Sequence, residues 1–474
     1  MYLRLLSNLI PMKKNVFLFL FLFSFLSMHA QYASQNISLY ANWDDASVLP
    51  EPTYGIRYNS VWGYAQNDRE YAILGATSGT YFIDVTTPTA PVQNDFVPGK
   101  RSGCIWREYK TYGKYLYAVS DDQKPNSLQI IDMSYLPDSV HVVYDSNNLL
   151  ERAHTLFIDG NYLYCGSVTT VNGAYYSMAV YSLSNPLLPA FIRNLHSDDP
   201  SFPTVHDMYV RHDTVYASCG YDALHMYHFN GSFFTSIGDL VSYPDKGYNH
   251  SSALTADGKT LIFTDEVPAS MSIKAIDVSD MSNIKLQSTF FSNVGATAHN
   301  PFIMGNNVLV VAYYQDGLQM YDIGDPKNPV TIGFFDTYPQ NGNVYTSPAY
   351  AGCWGAYVDL PSQNILASDM QNGLFVLNAH GIIAGIENKS DQHTSAFIYP
   401  ENNGTDLLLG FNSLKDETAS IRLYDMAGRE LYNTEKNILA GKNRVAIENT
   451  NLSAGMYLLT LDFSGMHSVL KFIK

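Results

Sequence analysis

The chain has 474 residues, a formal net charge of -16 and only 15% charged side chains. Such acidity argues against a nucleic-acid partner, whose phosphates demand lysine and arginine, and suits a soluble surface or cation binding. Thirty-six tyrosines, 32 glycines and 21 prolines fit many short strands and turns, so an all-β protein of two or more domains is expected.

The first thirty residues read as an export signal. Met12-Lys13-Lys14 is a basic start, residues 16–26 are an apolar run rich in Phe and Leu, and Met28-His29-Ala30 ends on a small residue. This is the pattern of a secretory signal peptide (1–30) cut before Gln31, too short for a spanning helix. No later run is long enough to cross a bilayer, so the mature chain is expected to be exported, without a transmembrane helix.

From Ser60 onward one unit repeats seven times. Its third strand is the easiest to see: TYFIDV (80–85), LQIIDM (128–133), MAVYSL (178–183), LHMYHF (224–229), IKAIDV (273–278), LQMYDI (318–323) and LFVLNA (374–379). Around the sixth copy, Gly305-Asn306-Asn307, Gln315-Asp316-Gly317 and Gly324-Asp325-Pro326 separate short apolar runs, as turn residues must. First strands align on Trp62, Trp106, His154, His206, His250, His299 and Trp354, at intervals of 44 to 55 residues. Four strands per repeat at this period predict a seven-bladed β-propeller over residues 31–384. The seventh repeat has only three strands, and residues 36–43, NISLYANW, are expected to supply its missing outer strand and close the ring.

Residues 385–395 are polar and read as a linker. Residues 396–474 follow as short strands punctuated by Gly404, Gly428, Gly441 and Gly455, the size of a small C-terminal β-sandwich. Cys104, Cys165, Cys219 and Cys353 have neither zinc-knuckle nor CxxC spacing. Cys165 and Cys219, in similar places of neighbouring repeats, are the best disulfide candidates, with buried free thiols the alternative.

Two resemblances cover most of the mature chain. The third strands YFIDV, IKAIDV and MYDI resemble the LVIVD repeat. The ordered motifs SVWGYAQNDREYAILGATSGTYFIDVTTPTAPV, IWREYKTYGKYLYAVSDD, AHT, VHD, NHS, AHN, GFFDTYP and SDMQNGLFVL are similar to the choice-of-anchor B family. That resemblance implies a secreted, propeller-like body with a variable anchoring tail, and no established reaction. The tail, through IYPENNGTDLLL, IRLYDMAGREL, LSAGMYLLTL and KFIK, resembles a type IX secretion sorting domain of Bacteroidota. It implies engagement of the type IX secretion machinery, an extracellular or outer-surface destination, and removal of the tail on the way.

In a propeller the first strands line the central channel. His154, His206, His250 and His299 therefore form an arc there, with Trp62, Trp106 and Trp354 in the remaining blades. Second strands end at the same rim with Ser120-Asp121-Asp122, Thr264-Asp265-Glu266 and Ser368-Asp369, and Glu108 and Asp207 lie just beyond the arc. Imidazole with carboxylate suits a divalent transition metal on the four histidines, and Trp62, Trp106, Glu108, Asp207, Glu266 and Trp354 are candidate ligand-binding residues. A structural reading stands beside it: histidines that bridge blades, and tryptophans that pack between them. Asp84, Asp132, Asp277 and Asp322 are expected to bind turn backbone only. No GxSxG, HExxH or Walker sequence occurs. The first reading is thus a protein that binds a surface ligand, glycan or protein; a metal-dependent, hydrolase-like enzyme using the histidines is the alternative.

Overall fold

A computed structural model describes residues 32–201, 204–342, 344–345, 350–382, 396–400, 407–413, 415–425, 428–439, 441–447, 452–453, 456–463 and 466–473. The segments read from sequence as a signal peptide (1–30) and a linker (385–395) lie outside the described residues.

Seven antiparallel sheets follow one another between residues 58 and 378. Their first strands are Tyr58–Gln66, Arg107–Tyr112, Thr155–Asp159, Asp207–Arg211, Asn249–Leu254, Pro301–Met304 and Cys353–Tyr357. Second and third strands such as Val308–Ala312 and Leu318–Asp322 are buried along their whole length, because both faces meet neighbouring sheets. Fourth strands such as His141–Ser146 are largely exposed. Among first strands Asp207–Arg211 alternates, with one face in the core and the other toward the channel, whereas Asn249–Leu254 is buried throughout. In each of the seven sheets a register shift falls in the pairing of the third strand with the fourth, a repeated bulge that adds twist.

Turn chemistry sets the strand ends. Asp84, Asp132, Asp277 and Asp322 each accept a hydrogen bond from the backbone N–H two residues on. Gly317 has φ +69°, and a Cβ there would fall 2.2 Å from the Phe335 carbonyl oxygen, so the hairpin tolerates no side chain.

Apolar clusters lie between neighbouring sheets and run full circle. One joins the first and second sheets through Ile73, Phe82, Leu116 and Ile131. Another joins the seventh and first through Leu366, Val376, Leu74 and Ile83. The largest fully buried side chains are tyrosines and phenylalanines, among them Tyr58, Tyr109 and Tyr117. The hydroxyls of these three are satisfied by Asp44, Thr80 and the Pro186 carbonyl respectively, whereas those of Tyr71, Tyr164 and Tyr321 are buried without a partner among the described residues. The arrangement is that of a β-propeller.

The N-terminal segment ties two sheets. Ser34–Gln35 adds a fifth strand beyond Val330–Phe335 of the sixth sheet. Ser38–Trp43 pairs with Gly373–Asn378, from Ser38 opposite Asn378 to Trp43 opposite Leu374, as the fourth strand of the seventh sheet. Arg57 then bonds Asp44 at 2.8 Å and the Gln371 carbonyl at 3.1 Å.

All four cysteines are buried free thiols, so the Cys165–Cys219 pairing is not made. Their equivalence in sequence is the reason: Cys165 packs between the second and third sheets, and Cys219 between the third and fourth. The tail consists of a three-stranded and a four-stranded sheet that share one apolar cluster, including Leu409, Ile447, Ile421 and Leu459. Among the described residues no helix is long and apolar enough to cross a membrane.

Candidate functional site

At the mouth where first strands begin, six side chains form an arc of rings in contact, mostly tilted against one another. His154, His206, His250 and His299 follow one another with ring centroids 4.2, 4.3 and 4.3 Å apart. His299 meets Trp354 at 4.6 Å, and Trp354 stacks on Trp106 at 4.7 Å. Strand geometry explains the repetition: each histidine stands at the entry of an equivalent first strand, His250 as the second residue of Asn249–Leu254 and the other three just before theirs, and His154 N–H and His206 N–H reach the Gly166 and Ser218 carbonyls. Outside the arc stand Tyr248 against His206, Tyr350 against Trp106, and Tyr314 stacked on His299.

Trp62 is not part of this arc. It packs against Tyr357 at 4.9 Å, deeper in the channel, and Lys110 sits 4.2 Å over its ring. The register shift between Tyr58 and Val61 carries Trp62 inward. The buried Asn59, which donates to the Cys104 carbonyl, lies at the start of that strand instead.

The histidines differ in charge although they look alike in sequence. His154 Nδ1 lies 2.6 Å from Asp121 Oδ2. Burial opposes its charge, but the carboxylates of Asp121, Asp207 and Glu108 outweigh that and hold it up at about 9. Burial, then the charge of His154, pushes His206 well below the ordinary histidine value. His250 falls well below it too, through burial and its histidine neighbours, and burial brings His299 down to about 3. His206 Nδ1 lies 3.1 Å from the His250 carbonyl oxygen, and His299 Nδ1 lies 2.5 Å from that of Trp354. A carbonyl only accepts, so in both rings Nδ1 carries the proton and Nε2 keeps its lone pair.

Glu266 completes the chemistry. Its Oε2 lies 3.7 Å from His250 Nε2, and its Oε1 accepts from the Tyr314 hydroxyl at 2.6 Å. One donor atom each from His250, Glu266 and His299 fall within 4.8 Å of one another, and all three residues are buried. His154, committed to Asp121, and His206 are outside this group of three. The other rim carboxylates have structural partners: Asp122 accepts from Ile105 N–H, Asp265 pairs with the buried Lys274 at 2.6 Å, and Asp369 accepts from Thr337. Trp354 Nε1 and Asp121 Oδ1 are buried without a hydrogen-bond partner among the described residues.

Below the arc the channel has a polar layer and then a chamber. Glu108 accepts from Ser60 at 3.0 Å, and Asp207 accepts from Thr155 at 2.8 Å and Ser251 at 2.7 Å. Under this layer lies a cavity of about 290 Å³ lined by Trp62, Lys110, Phe157, Tyr209, Phe302 and Tyr357 among others. Lys110 and the wall aromatics other than Trp62 escaped sequence reasoning. They stand two residues beyond the polar layer on the same strand face, so the period of two could have found them.

Fold and site together define a β-propeller with a histidine-lined channel mouth, joined to a small β-domain. Residues 398–474 match the family of secretion system C-terminal sorting domains, the type IX kind. The tail thus marks the chain for the type IX secretion machinery and for export to the cell surface or beyond. No curated protein matches the chain significantly. Among solved structures it is similar to PorZ of Porphyromonas gingivalis, a bacterial surface component of the type IX secretion system, with 10% identity and a TM-score of 0.48. That alignment covers 90% of this chain and 60% of PorZ. The WD40 β-propeller domain of Doa1 aligns over 72% of this chain and 96% of its own, with 10% identity and a TM-score of 0.47. Neither likeness bears on what the chain binds or does.

Proposed function

We propose that the chain is an exported binding protein: a seven-bladed β-propeller (31–384) closed by residues 36–43, whose channel mouth holds a divalent transition metal. A signal peptide (1–30) takes it across the inner membrane. A linker (385–395) and a sorting β-sandwich (396–474) carry it across the outer one, in keeping with the choice-of-anchor B resemblance. The observation that carries the metal is the convergence of donors from His250, Glu266 and His299 within 4.8 Å. The carbonyl that fixes Nδ1–H of His299 presents Nε2 inward, the arrangement by which metal-binding histidines are oriented. Mixed nitrogen and oxygen donors suit zinc, iron, copper or manganese. Trp106 and Trp354 would then flank a surface ligand, glycan or protein group held at that metal.

The alternative is a metal-dependent, hydrolase-like enzyme. It is favoured by the number of donors, since three protein ligands leave a coordination position for water or substrate. Elemental analysis of full-length protein purified without chelator or metal-affinity tag tests the site. About one equivalent of metal, absent from His250→Ala and His299→Ala, is expected; metal-free wild-type protein that takes up no added zinc or manganese ends the metal reading.

A further inference from the structure

The chamber beneath the polar layer has a chemistry of its own. Its walls are half-buried aromatic rings: Trp62 against Tyr357 at 4.9 Å, and Phe157 against Tyr209 at 5.2 Å. Its ceiling holds Glu108 and Asp207, and the exposed Asp359 stands on its lining. Lys110 is the one cation among the lining residues. Three acidic side chains and one ammonium line the chamber, burial pushes the Glu108 and Asp359 carboxyls up, and His154 beyond the ceiling is matched by Asp121.

The two ceiling carboxylates are not equally engaged. Asp207 accepts from two hydroxyls, Thr155 and Ser251, and from the Met208 N–H at 2.8 Å. Glu108 takes one hydroxyl, Ser60, and a long 3.3 Å bond from the Tyr109 N–H. The Lys110 ammonium donates to the Tyr109 carbonyl at 3.2 Å, stops 3.9 Å from Glu108, and lies 4.2 Å above the Trp62 ring. The chain's own lysine thus shows what this combination attracts: a cation between an indole face and a carboxylate.

We propose that the chamber binds a small organic cation, an amine with an aromatic or alkyl body, its ammonium on Glu108 and its apolar part against Phe157, Tyr209 and Tyr357. At about 290 Å³ the cavity is near the lower end of small-ligand sites, so a single-ring amine fits and a peptide does not. In this arrangement Lys110 competes with the ligand rather than holding it. The inference does not depend on a metal at the mouth.

Calorimetric titration of the full chain with three isosteres tests it: tyramine, neutral tyrosol and anionic 4-hydroxyphenylacetate. Tyramine is expected to bind saturably and the other two at least about tenfold more weakly, the scale of one charge-assisted contact. Glu108→Gln should weaken tyramine by about tenfold, and Lys110→Met should strengthen it. Equal or tighter binding of the carboxylate, loss of binding in Lys110→Met, or no saturable tyramine binding at millimolar concentration overturns the proposal. Should either variant fail to fold, the ranking of the three isosteres on the wild-type chain still decides.

Discussion

His154 Nδ1 and Asp121 Oδ2 stand 2.6 Å apart, and this contact makes one histidine of the arc unlike the other three. Without its carboxylate neighbours, burial would drive His154 down as it does His206. Asp121→Asn is therefore expected to bring its titration down from about 9, read from histidine ring signals by NMR. The sign for stability follows. The pair's contribution is whole below the free value of 6.5 and is lost as pH rises through about 9. Asp121→Asn should thus cost more stability at pH 6 than at pH 10.

His206, His250 and His299 have the opposite dependence. Each is held neutral in the fold and would take a proton in the unfolded chain. The unfolded state then binds more protons below the free value of 6.5, so stability must fall as pH drops from there toward 3. Urea unfolding at pH 7 and pH 5 should show this loss, and His299→Gln should flatten it. An unchanged slope in that variant would mean that His299 is already charged in the fold.

Deleting residues 31–45 should lower the melting temperature by at least about 10 °C, since the lost strand contacts are worth several kcal/mol. It removes the strand opposite Gly373–Asn378, the added strand beside Phe334 and Phe335, and the Asp44 partner of Arg57. Differential scanning calorimetry is the measurement, and melting like the intact chain would show closure by this strand to be dispensable.

Gly317→Ala should destabilise by about 2 kcal/mol or more, because it combines a positive φ with contact to the Phe335 carbonyl. Gly305→Ala has positive φ but open space, and should cost about 1 kcal/mol. Chemical denaturation of the pair separates backbone strain from steric exclusion.

A chain ended after residue 384 should fold and remain in the periplasm, whereas the full-length chain reaches the outside without most of residues 396–474. Cell fractionation and mass spectrometry of the exported C-terminus check both statements. Equal export of the truncated form would leave the tail as an ordinary β-domain in this chain.

The repeat was legible because its punctuation is chemical: Asp84, Asp132, Asp277 and Asp322 close third strands by bonding backbone two residues on. The arc was legible through four histidines at one strand position. Trp62 misled because VWGY looks like the start of the other first strands, while the shift between Tyr58 and Val61 displaces it. The difference between His154 and the other histidines was not legible for another reason. Which histidine a carboxylate claims depends on loop reach at the rim, so Asp121 binding His154 and Glu266 approaching His250 are not readable from spacing.

The strand that completes the seventh sheet comes from the opposite end of the sequence, with Asn42 bonded across 330 positions to the Asn372 carbonyl. Such a contact is among the most non-local a chain of this length can make, and the loop it closes contains every other sheet of the ring. Residues 38–43 are made first yet find their partner last. During synthesis and export they must wait as an unpaired edge strand, open to chaperones, to wrong partners or to a neighbouring chain's seventh sheet. The slow step in maturation should therefore be the joining of the two ends, and crowding of nascent chains should favour exchange of this strand between copies.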